Sequence, residues 1–175
     1  MAADPAGPSA VRFLGVDTSL RGTGYGVIEA AGNRYRYVES GRVRNAPTLP
    51  VALCVTRIHD TVRDLIQRTR PAAVAIEGVF IAKNARSSLR LGEARGGVLA
   101  ACGGCGVEVY EYPPRRVKQA VVGAGGAAKE QVLRMMVHLL GAPPDISEDE
   151  ADALAIALCH VQTRTSIPGL APKPL

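Results

Sequence analysis

The chain has 175 residues, of which 47% are hydrophobic and 21% charged, and it carries a formal net charge of +5 with a pI near 9.3. This length is typical of one domain, and the composition excludes an intrinsically disordered chain. No apolar run reaches the length of a membrane-spanning helix, so no membrane association is expected. The positive charge indicates either an anionic partner, nucleic acid foremost, or simply a basic surface.

The two ends of the chain have the composition of tails. Residues 1–10 lack the basic and apolar segments of a secretory signal, and residues 165–175 contain three prolines. We therefore expect a disordered tail over 1–10, a folded domain over 11–164 and a flexible tail over 165–175. With no signal peptide, we expect a cytoplasmic location.

The first half of the chain has the patterns of three strands and a helix. Strands are predicted at 11–17, 25–30 and 34–44. The first is apolar and ends at Asp17, and we expect the glycines after it to let the chain turn tightly into the second. A hairpin turn is predicted at 31–33. Apolar residues at helical spacing predict a helix over 50–69, which Pro71 ends.

The second half places strands between helices and then continues in helices alone. Strands are predicted at 72–80, which carries Glu77, and at 107–112. Helices are predicted at 84–101, 113–123, 129–141 and 148–163. Three sequential strands followed by two strands reached through helices predict an α/β fold. Its sheet would be mixed and five-stranded, flanked by helices on both faces.

Four carboxylates are not expected to be ordinary solvated charges. Asp17 and Glu77 each end a strand directly after apolar residues. Because strand ends lie side by side and are favoured ligand positions in α/β sheets, these two could converge. Asp152 lies among Ala and Leu residues of the last helix, and Asp149, three residues earlier, shares its face.

Such a cluster indicates a metal site. The four acids would repel one another without a cation, and ligands that are all oxygens favour Mg²⁺ or Mn²⁺. This is the setting for two-metal hydrolysis of a phosphodiester. In the alternative interpretation, Asp17 and Glu77 merely cap loops and Asp149 caps a helix.

The cysteines do not predict a second chemistry. Cys102 and Cys105 form a CGGC that is similar to a zinc or redox half-site, but no second CxxC accompanies it and the histidines are scattered. Disulfides are not expected in a cytoplasmic protein. We therefore expect neither zinc nor thiol chemistry.

Four segments in collinear order carry a resemblance to a known family. They are GVDTSLRGTGYGVIE, AIEGVFIAKNARSSLRLGEARG, EYPPRRVKQAVVGAGGAAKEQV and EADALAIALCH. Together they resemble the RuvC family of bacterial Holliday-junction resolvases, in the ribonuclease H-like superfamily, over most of residues 11–160. No single motif would be specific enough alone.

The resemblance implies a homodimeric endonuclease that makes paired, symmetric nicks in four-way junction DNA during recombination and repair. It implies two Mg²⁺ ions per subunit, for which Mn²⁺ would substitute, and products with 5′-phosphate ends. Carried onto this chain, the catalytic and metal-binding residues are Asp17, Glu77, Asp149 and Asp152. A branch-migration motor is a further partner that the family implies.

The resemblance also implies residues that contact DNA. Phe80 matches an aromatic residue thought to stack on unpaired bases, with a core side chain as the alternative. Lys118 and Lys129 match basic positions, with solvated helix charge as the alternative. Residues Lys83, Asn84 and Arg86 are candidates for backbone contacts.

A stripe of small residues on the predicted helix 84–101 has no local explanation. Gly92, Gly96 and Ala100 recur at four-residue spacing, and glycine lowers helix stability by up to about 1 kcal/mol. The family uses this region for dimer contacts. The alternative is close packing of the stripe against the protein's own sheet.

The chain also departs from the family in one place. The family has Pro-Gly directly after the first aspartate, where this chain has Thr18-Ser19. Because Ser19 carries a Cβ, we expect an altered turn or an altered approach of the scissile phosphate.

Three other functions share some of these features. An actin-like or sugar-kinase ATPase begins with a similar strand, acid and turn, but it needs two such domains, and the segment 123–129 lacks the ending of a phosphate loop. A junction-binding module without catalysis would lack an acid, whereas all four are present. A ribonuclease H-like nuclease with another substrate stays an alternative.

Overall fold

The computed structural model describes residues 9–78, 85–166 and 172–175. The strands are β1 (Val11–Asp17), β2 (Gly22–Ala31), β3 (Arg34–Arg44), β4 (Ala73–Glu77) and β5 (Val109–Tyr112). The helices are α1 (Val51–Thr69), α2 (Ala85–Cys105), α3 (Pro114–Val122), α4 (Lys129–Leu140) and α5 (Glu148–Ser166). This order of elements is the predicted one.

The five strands form one sheet in the order β3-β2-β1-β4-β5. Strands β1, β2 and β3 pair antiparallel, whereas β4 is parallel to β1 and β5 is parallel to β4. The predicted mixed five-stranded sheet is confirmed.

Helices cover both faces of the sheet. On one face, α1 and α2 pack over a core that includes Leu14, Val16 and Ile76. On the other, α3, α4 and α5 pack over a core that includes Phe13 and Ile28. Helix α5 is buried along almost all of its length because it lies between the sheet and helices α3 and α4. Its polar N-terminal turn is therefore held at a fixed place over the sheet.

The glycines after β1 do not form the tight turn that the sequence predicts. Strand β2 already begins at Gly22, so Gly22, Gly24 and Gly26 lie inside a strand, and the connection is residues 18–21. Thr23 closes this connection, since its Oγ1 accepts a hydrogen bond from the Ser19 N–H at 3.2 Å and donates to the Ser19 carbonyl. The prediction failed because closely spaced glycines are more typical of turns than of strands.

These glycines instead allow the backbone of α5 to approach the sheet. A Cβ on Gly15 would overlap the Ala153 carbonyl, and a Cβ on Gly24 would overlap the Asp149 carbonyl. Side chains at these two positions would push the helix away. The glycines therefore determine the distance between α5 and the sheet. This distance in turn sets the positions of Asp149 and Asp152.

Ser19 does not require the backbone of a glycine. Among the non-glycine residues that the structure describes, only Arg70 has a positive φ. The Cβ of Ser19 is therefore accommodated without strain. The altered turn that we expected from Thr18-Ser19 does not take the form of an unfavourable backbone.

The helices differ from the prediction mainly at their C-terminal ends. Helix α2 continues through the CGGC segment to Cys105, and α5 continues to Ser166. Burial raises the pKa of the Cys102 thiol to about 12, so this side chain is an uncharged core group at neutral pH. Near the C-terminus, the Leu175 N–H donates to the Val109 carbonyl at 2.9 Å. None of the helices in the described ranges is long and apolar enough to cross a membrane.

Candidate active site

The ends of two neighbouring strands bring two carboxylates to one edge of the sheet. Asp17 is the last residue of β1 and Glu77 is the last residue of β4. These strands are parallel, and Val16 stands opposite Ile76, so the next residue of each strand emerges at the same edge. The convergence that the sequence predicts follows directly from this register.

Asp152 joins them from α5. Together with Asp17 and Glu77 it lines a cleft of about 360 Å³ between the sheet edge and helices α3, α4 and α5. Lys118 and Lys129 line the same cleft, and its apolar wall is made by Pro114, Val117 and Val132. The structure thus brings together three of the four predicted acids and both predicted lysines.

The carboxylates in this cleft are electrostatically crowded. Burial, together with the charges of Glu77, Asp152 and Asp149, raises the pKa of Asp17 from 3.8 to about 7. Burial and the charge of Asp152 raise the pKa of Glu77, although Lys118 and Lys129 oppose this shift. Burial also raises the pKa of Asp152, again against the two lysines. Each acid therefore holds its proton more tightly than it would in water.

Lys129 is a partial counter-ion in the cleft. Its Nζ lies 3.6 Å from Asp152 Oδ2 and 3.3 Å from Glu148 Oε2. Burial lowers the pKa of this lysine, but the charges of Asp152 and Glu148 outweigh burial and raise it. Lys118 and Lys129 both face the acids, so the alternative that they are solvated helix charges is not favoured.

Asp149 is turned away from the cleft. Its Oδ2 lies 2.6 Å from Arg42 Nε on β3, and it does not line the cleft with the other three acids. Its charge still raises the pKa values of Asp17 and Asp152, which places it close to the group. Sequence reasoning missed Arg42, because it is one of several arginines that alternate along β3.

The start of α5 is held by a hydrogen-bonded acid. Glu150 Oε2 accepts from the Ser147 N–H at 2.9 Å and from the Ser147 hydroxyl at 2.7 Å, and Glu150 Oε1 accepts from the Ser40 hydroxyl at 2.9 Å. Burial opposes ionisation of Glu150, but these hydrogen bonds lower its pKa. Glu150 therefore anchors the turn that carries Asp149 and Asp152.

Arg95 positions the end of β4, and sequence reasoning missed it as well. Its Nη1 donates to the Glu77 carbonyl at 3.0 Å, and its guanidinium pairs with Glu111. Arg95 lies on α2, so it ties this helix to the strand end that carries Glu77. No local pattern in the sequence distinguishes it from the other arginines of α2.

The remaining predicted residues lie elsewhere. Arg86 lines a separate groove of about 410 Å³ with Ser19, Arg21 and Arg90. Phe80, Lys83 and Asn84 lie outside the described residues. Their roles stay predictions.

The donor set fits a divalent cation. It consists of carboxylate oxygens whose mutual repulsion two lysines only partly offset, and hard cations with oxygen ligands relieve such repulsion. Among the residues that the structure describes, however, no three acidic, histidine or cysteine side chains already surround one point at ligand distance. Cation binding therefore requires side-chain movement. Asp149 would have to leave Arg42 in order to join the other acids.

The sheet order, with acids at the ends of β1 and β4 and on α5, defines a ribonuclease H-like protein. Residues 13–160 match the family model described as crossover junction endodeoxyribonuclease RuvC. The chain therefore belongs to the RuvC family.

Two curated relatives and one solved structure illustrate the match. The crossover junction endodeoxyribonuclease RuvC of Bordetella avium is 44% identical over 87% of this chain and 84% of its own length. That of Vibrio parahaemolyticus is 45% identical over 92% of each chain. The structure of Thermus thermophilus RuvC in complex with Holliday junction substrate covers 94% of this chain and 99% of its own, with a TM-score of 0.85 and 36% identity.

Proposed function

We propose that this protein is a structure-specific endonuclease that resolves four-way DNA junctions by paired, symmetric nicks. The observation that carries the proposal is the cleft in which Asp17, Glu77 and Asp152 meet two lysines, in a chain of the RuvC family. The similarity to a RuvC structure with Holliday junction substrate over 94% of the chain supports the choice of substrate. The same reaction serves homologous recombination and DNA repair.

We propose that Asp17, Glu77, Asp149 and Asp152 are the catalytic carboxylates and hold two Mg²⁺ ions per subunit, with Mn²⁺ as a substitute. Bound there, the ions would supply the charge that activates water and stabilises the leaving 3′-oxygen, which gives 5′-phosphate ends. The raised pKa values of Asp17, Glu77 and Asp152 support this assignment, because burial and mutual repulsion disfavour their charged forms and a bound cation would stabilise those forms.

The other residues of the site orient the DNA. Lys118 and Lys129 are placed to hold phosphate oxygens beside the carboxylates, which would otherwise repel the strand. We propose backbone contacts for Lys83, Asn84 and Arg86 and base stacking for Phe80. The domain limits at 11–164, the tails over 1–10 and 165–175, the cytoplasmic location and the branch-migration motor stay predictions.

We propose that the chain forms a homodimer through the exposed face of α2. Apart from its chain neighbours and the backbone of α2, a Cβ on Gly92 or Gly96 would have no described atom within 4 Å, and Leu89 on the same face is 63% exposed. The alternative of packing against the protein's own sheet is wrong for this stripe, because Gly97, not Gly96, faces Val55 of α1. A two-fold dimer would present two active sites to a two-fold junction.

A charge in this stripe is expected to weaken the dimer. Gly96→Glu places two like charges at the symmetric contact, and we expect a mainly monomeric protein at micromolar concentration, with an unfolding midpoint close to that of the wild type. Sedimentation velocity measures the oligomeric state. Gln67→Glu, which adds the same charge at an exposed position of α1, is the control. A variant that stays as dimeric as the control would contradict this use of α2.

The test of the function is cleavage of a synthetic mobile four-way junction with Mg²⁺, beside a linear duplex of the same sequence. We expect paired nicks at symmetric positions in the junction only, with 5′-phosphate ends. The Asp17→Asn variant is expected to bind the junction without cutting it. Equal cutting of the linear duplex would indicate a ribonuclease H-like nuclease with another substrate. No cutting with either Mg²⁺ or Mn²⁺ would indicate a binding module.

A further inference from the structure

The ion pair between Arg42 and Asp149 is not an ordinary surface pair. Its atoms lie 2.6 Å apart, and the two side chains are only 35% and 23% exposed. Arg42 lies on β3, the edge strand of the sheet, whereas Asp149 lies on the first turn of α5. The pair therefore bridges the sheet edge and the helix that carries two of the proposed metal ligands.

Two glycines of β2 form the surface on which this pair lies. A Cβ on Gly22 would overlap the guanidinium of Arg42, and a Cβ on Gly24 would overlap the backbone of Asp149. Gly24 also stands opposite Arg42 in the register of β2 and β3. A larger residue at either position would displace one partner of the pair. The two glycines therefore leave the space that Arg42 and Asp149 occupy.

The carboxylate of Asp149 has a charge partner but, within the described ranges, no hydrogen bond at its buried oxygen. Its Oδ2 is buried and accepts no hydrogen bond from any group that the structure describes, although Arg42 lies beside it. The charge of Asp149 raises the pKa values of Asp17 and Asp152, so the carboxylate is near the cleft without lining it. A cation that replaced Arg42 as the partner of this oxygen would therefore break an ion pair but no hydrogen bond to a described residue.

We infer that Arg42 is a built-in counter-ion that competes with the divalent cation for Asp149. In the metal-free protein the guanidinium neutralises Asp149 and holds it outside the cleft. A cation that takes Asp149 as a ligand must first displace Arg42, so Arg42 lowers the affinity of the site for metal. This inference rests on the proposed metal site. It adds a residue outside the four carboxylates that determines the affinity of the site for metal.

The test is Mn²⁺ binding to the DNA-free protein, followed by the electron paramagnetic resonance signal of free Mn²⁺ at pH 8. We expect Arg42→Gln to bind Mn²⁺ about fivefold more tightly, which is the effect of removing one competing, partly exposed ion pair. Arg42→Lys keeps the charge and is expected to bind within about twofold of the wild type. Unfolding midpoints of all variants establish that they are folded.

Two further variants separate this pairing from the general loss of positive charge. Arg44→Gln removes the same charge two residues further along the same face of β3, where the charge of Arg44 lowers the pKa of Glu150. We expect this variant to gain less Mn²⁺ affinity than Arg42→Gln. In an Asp149→Asn background, Arg42→Gln should no longer tighten binding beyond the Arg44→Gln control. Binding by Arg42→Gln that equals or falls below the wild type, or a gain that survives in Asp149→Asn, would overturn the inference and leave the metal site standing. Absence of Mn²⁺ binding in every variant would overturn the metal site itself and the inference with it.

Discussion

Replacing Asp17 with asparagine is expected to lower the rate of junction cleavage by about 10³-fold or more, equivalent to about 4 kcal/mol of transition-state stabilisation. Asp17 is the most strongly perturbed of the clustered acids and lies at the centre of the group, since Glu77, Asp152 and Asp149 all raise its pKa. Asparagine has nearly the same shape, so junction binding should survive. The same substitution should also make the metal-free protein more stable at neutral pH.

The gain in stability follows from the raised pKa. The native protein holds the Asp17 proton up to about pH 7, whereas the unfolded chain releases it near 3.8. Between these pH values the native state binds more protons than the unfolded state, so the free energy of unfolding falls as the pH rises. Above pH 7 the full loss is present, up to about 4 kcal/mol for this group. Asparagine does not titrate and removes that loss.

Urea unfolding in EDTA at pH 4.5 and pH 8 measures this effect. We expect Asp17→Asn to exceed the wild type by up to about 4 kcal/mol at pH 8 and by only about 1 kcal/mol at pH 4.5, where most of the loss has not yet developed. Mg²⁺ should stabilise the wild type at pH 8 more than the variant, because binding to the native state raises stability by mass action. Asp64→Asn, at an exposed position of α1, is the matched control and should change neither activity nor stability. Equal stability of Asp17→Asn and wild type at both pH values would contradict a pKa of Asp17 raised by burial and by the neighbouring acids.

Much of this architecture could be predicted because its patterns are local. Strand β1 ends at Asp17 as expected, and α1 and α4 follow their apolar spacing closely. The meeting of Asp17 and Glu77 needed only the rule that parallel strand ends share an edge. The positions of Lys118 and Lys129 came from the family resemblance, because their own surroundings contain no local signal.

The remaining features depend on contacts between segments that are distant in sequence. The sequence predicts a turn at Gly24, since nothing near it indicates that the backbone of α5 would lie directly above. The helical spacing of Asp149 predicts a place among the cleft acids, but the structure pairs it with Arg42, which precedes it by more than a hundred residues. The role of Arg95 has no local signal because its partners, Glu77 and Glu111, come from two other elements. A single sequence does not encode such pairings in any periodic pattern.

The close approach of α5 to the sheet leads to the second large effect, that of Gly15→Ala. A Cβ at Gly15 would overlap the Ala153 carbonyl and would lie 2.7 Å from the Ala157 nitrogen, both of them backbone atoms of α5 that cannot rotate away. We expect a loss of about 3 kcal/mol, the upper part of the range for overpacking, and a fall in the melting temperature of about 6–12 °C. Because the displaced helix carries Asp149 and Asp152, metal-dependent cleavage should fall as well.

Differential scanning calorimetry and single-turnover cleavage, both at a temperature where the variant is folded, separate the two consequences. Gly103→Ala is the matched control, since a Cβ there would have no described atom within 4 Å apart from its chain neighbours and the backbone of α2, and alanine favours the helix. We expect the control to keep or slightly raise the melting temperature and to cleave at the wild-type rate. If Gly15→Ala were as stable as this control, α5 would have room to lie further from the sheet. The glycines of β1 and β2 would then not determine where the catalytic carboxylates stand.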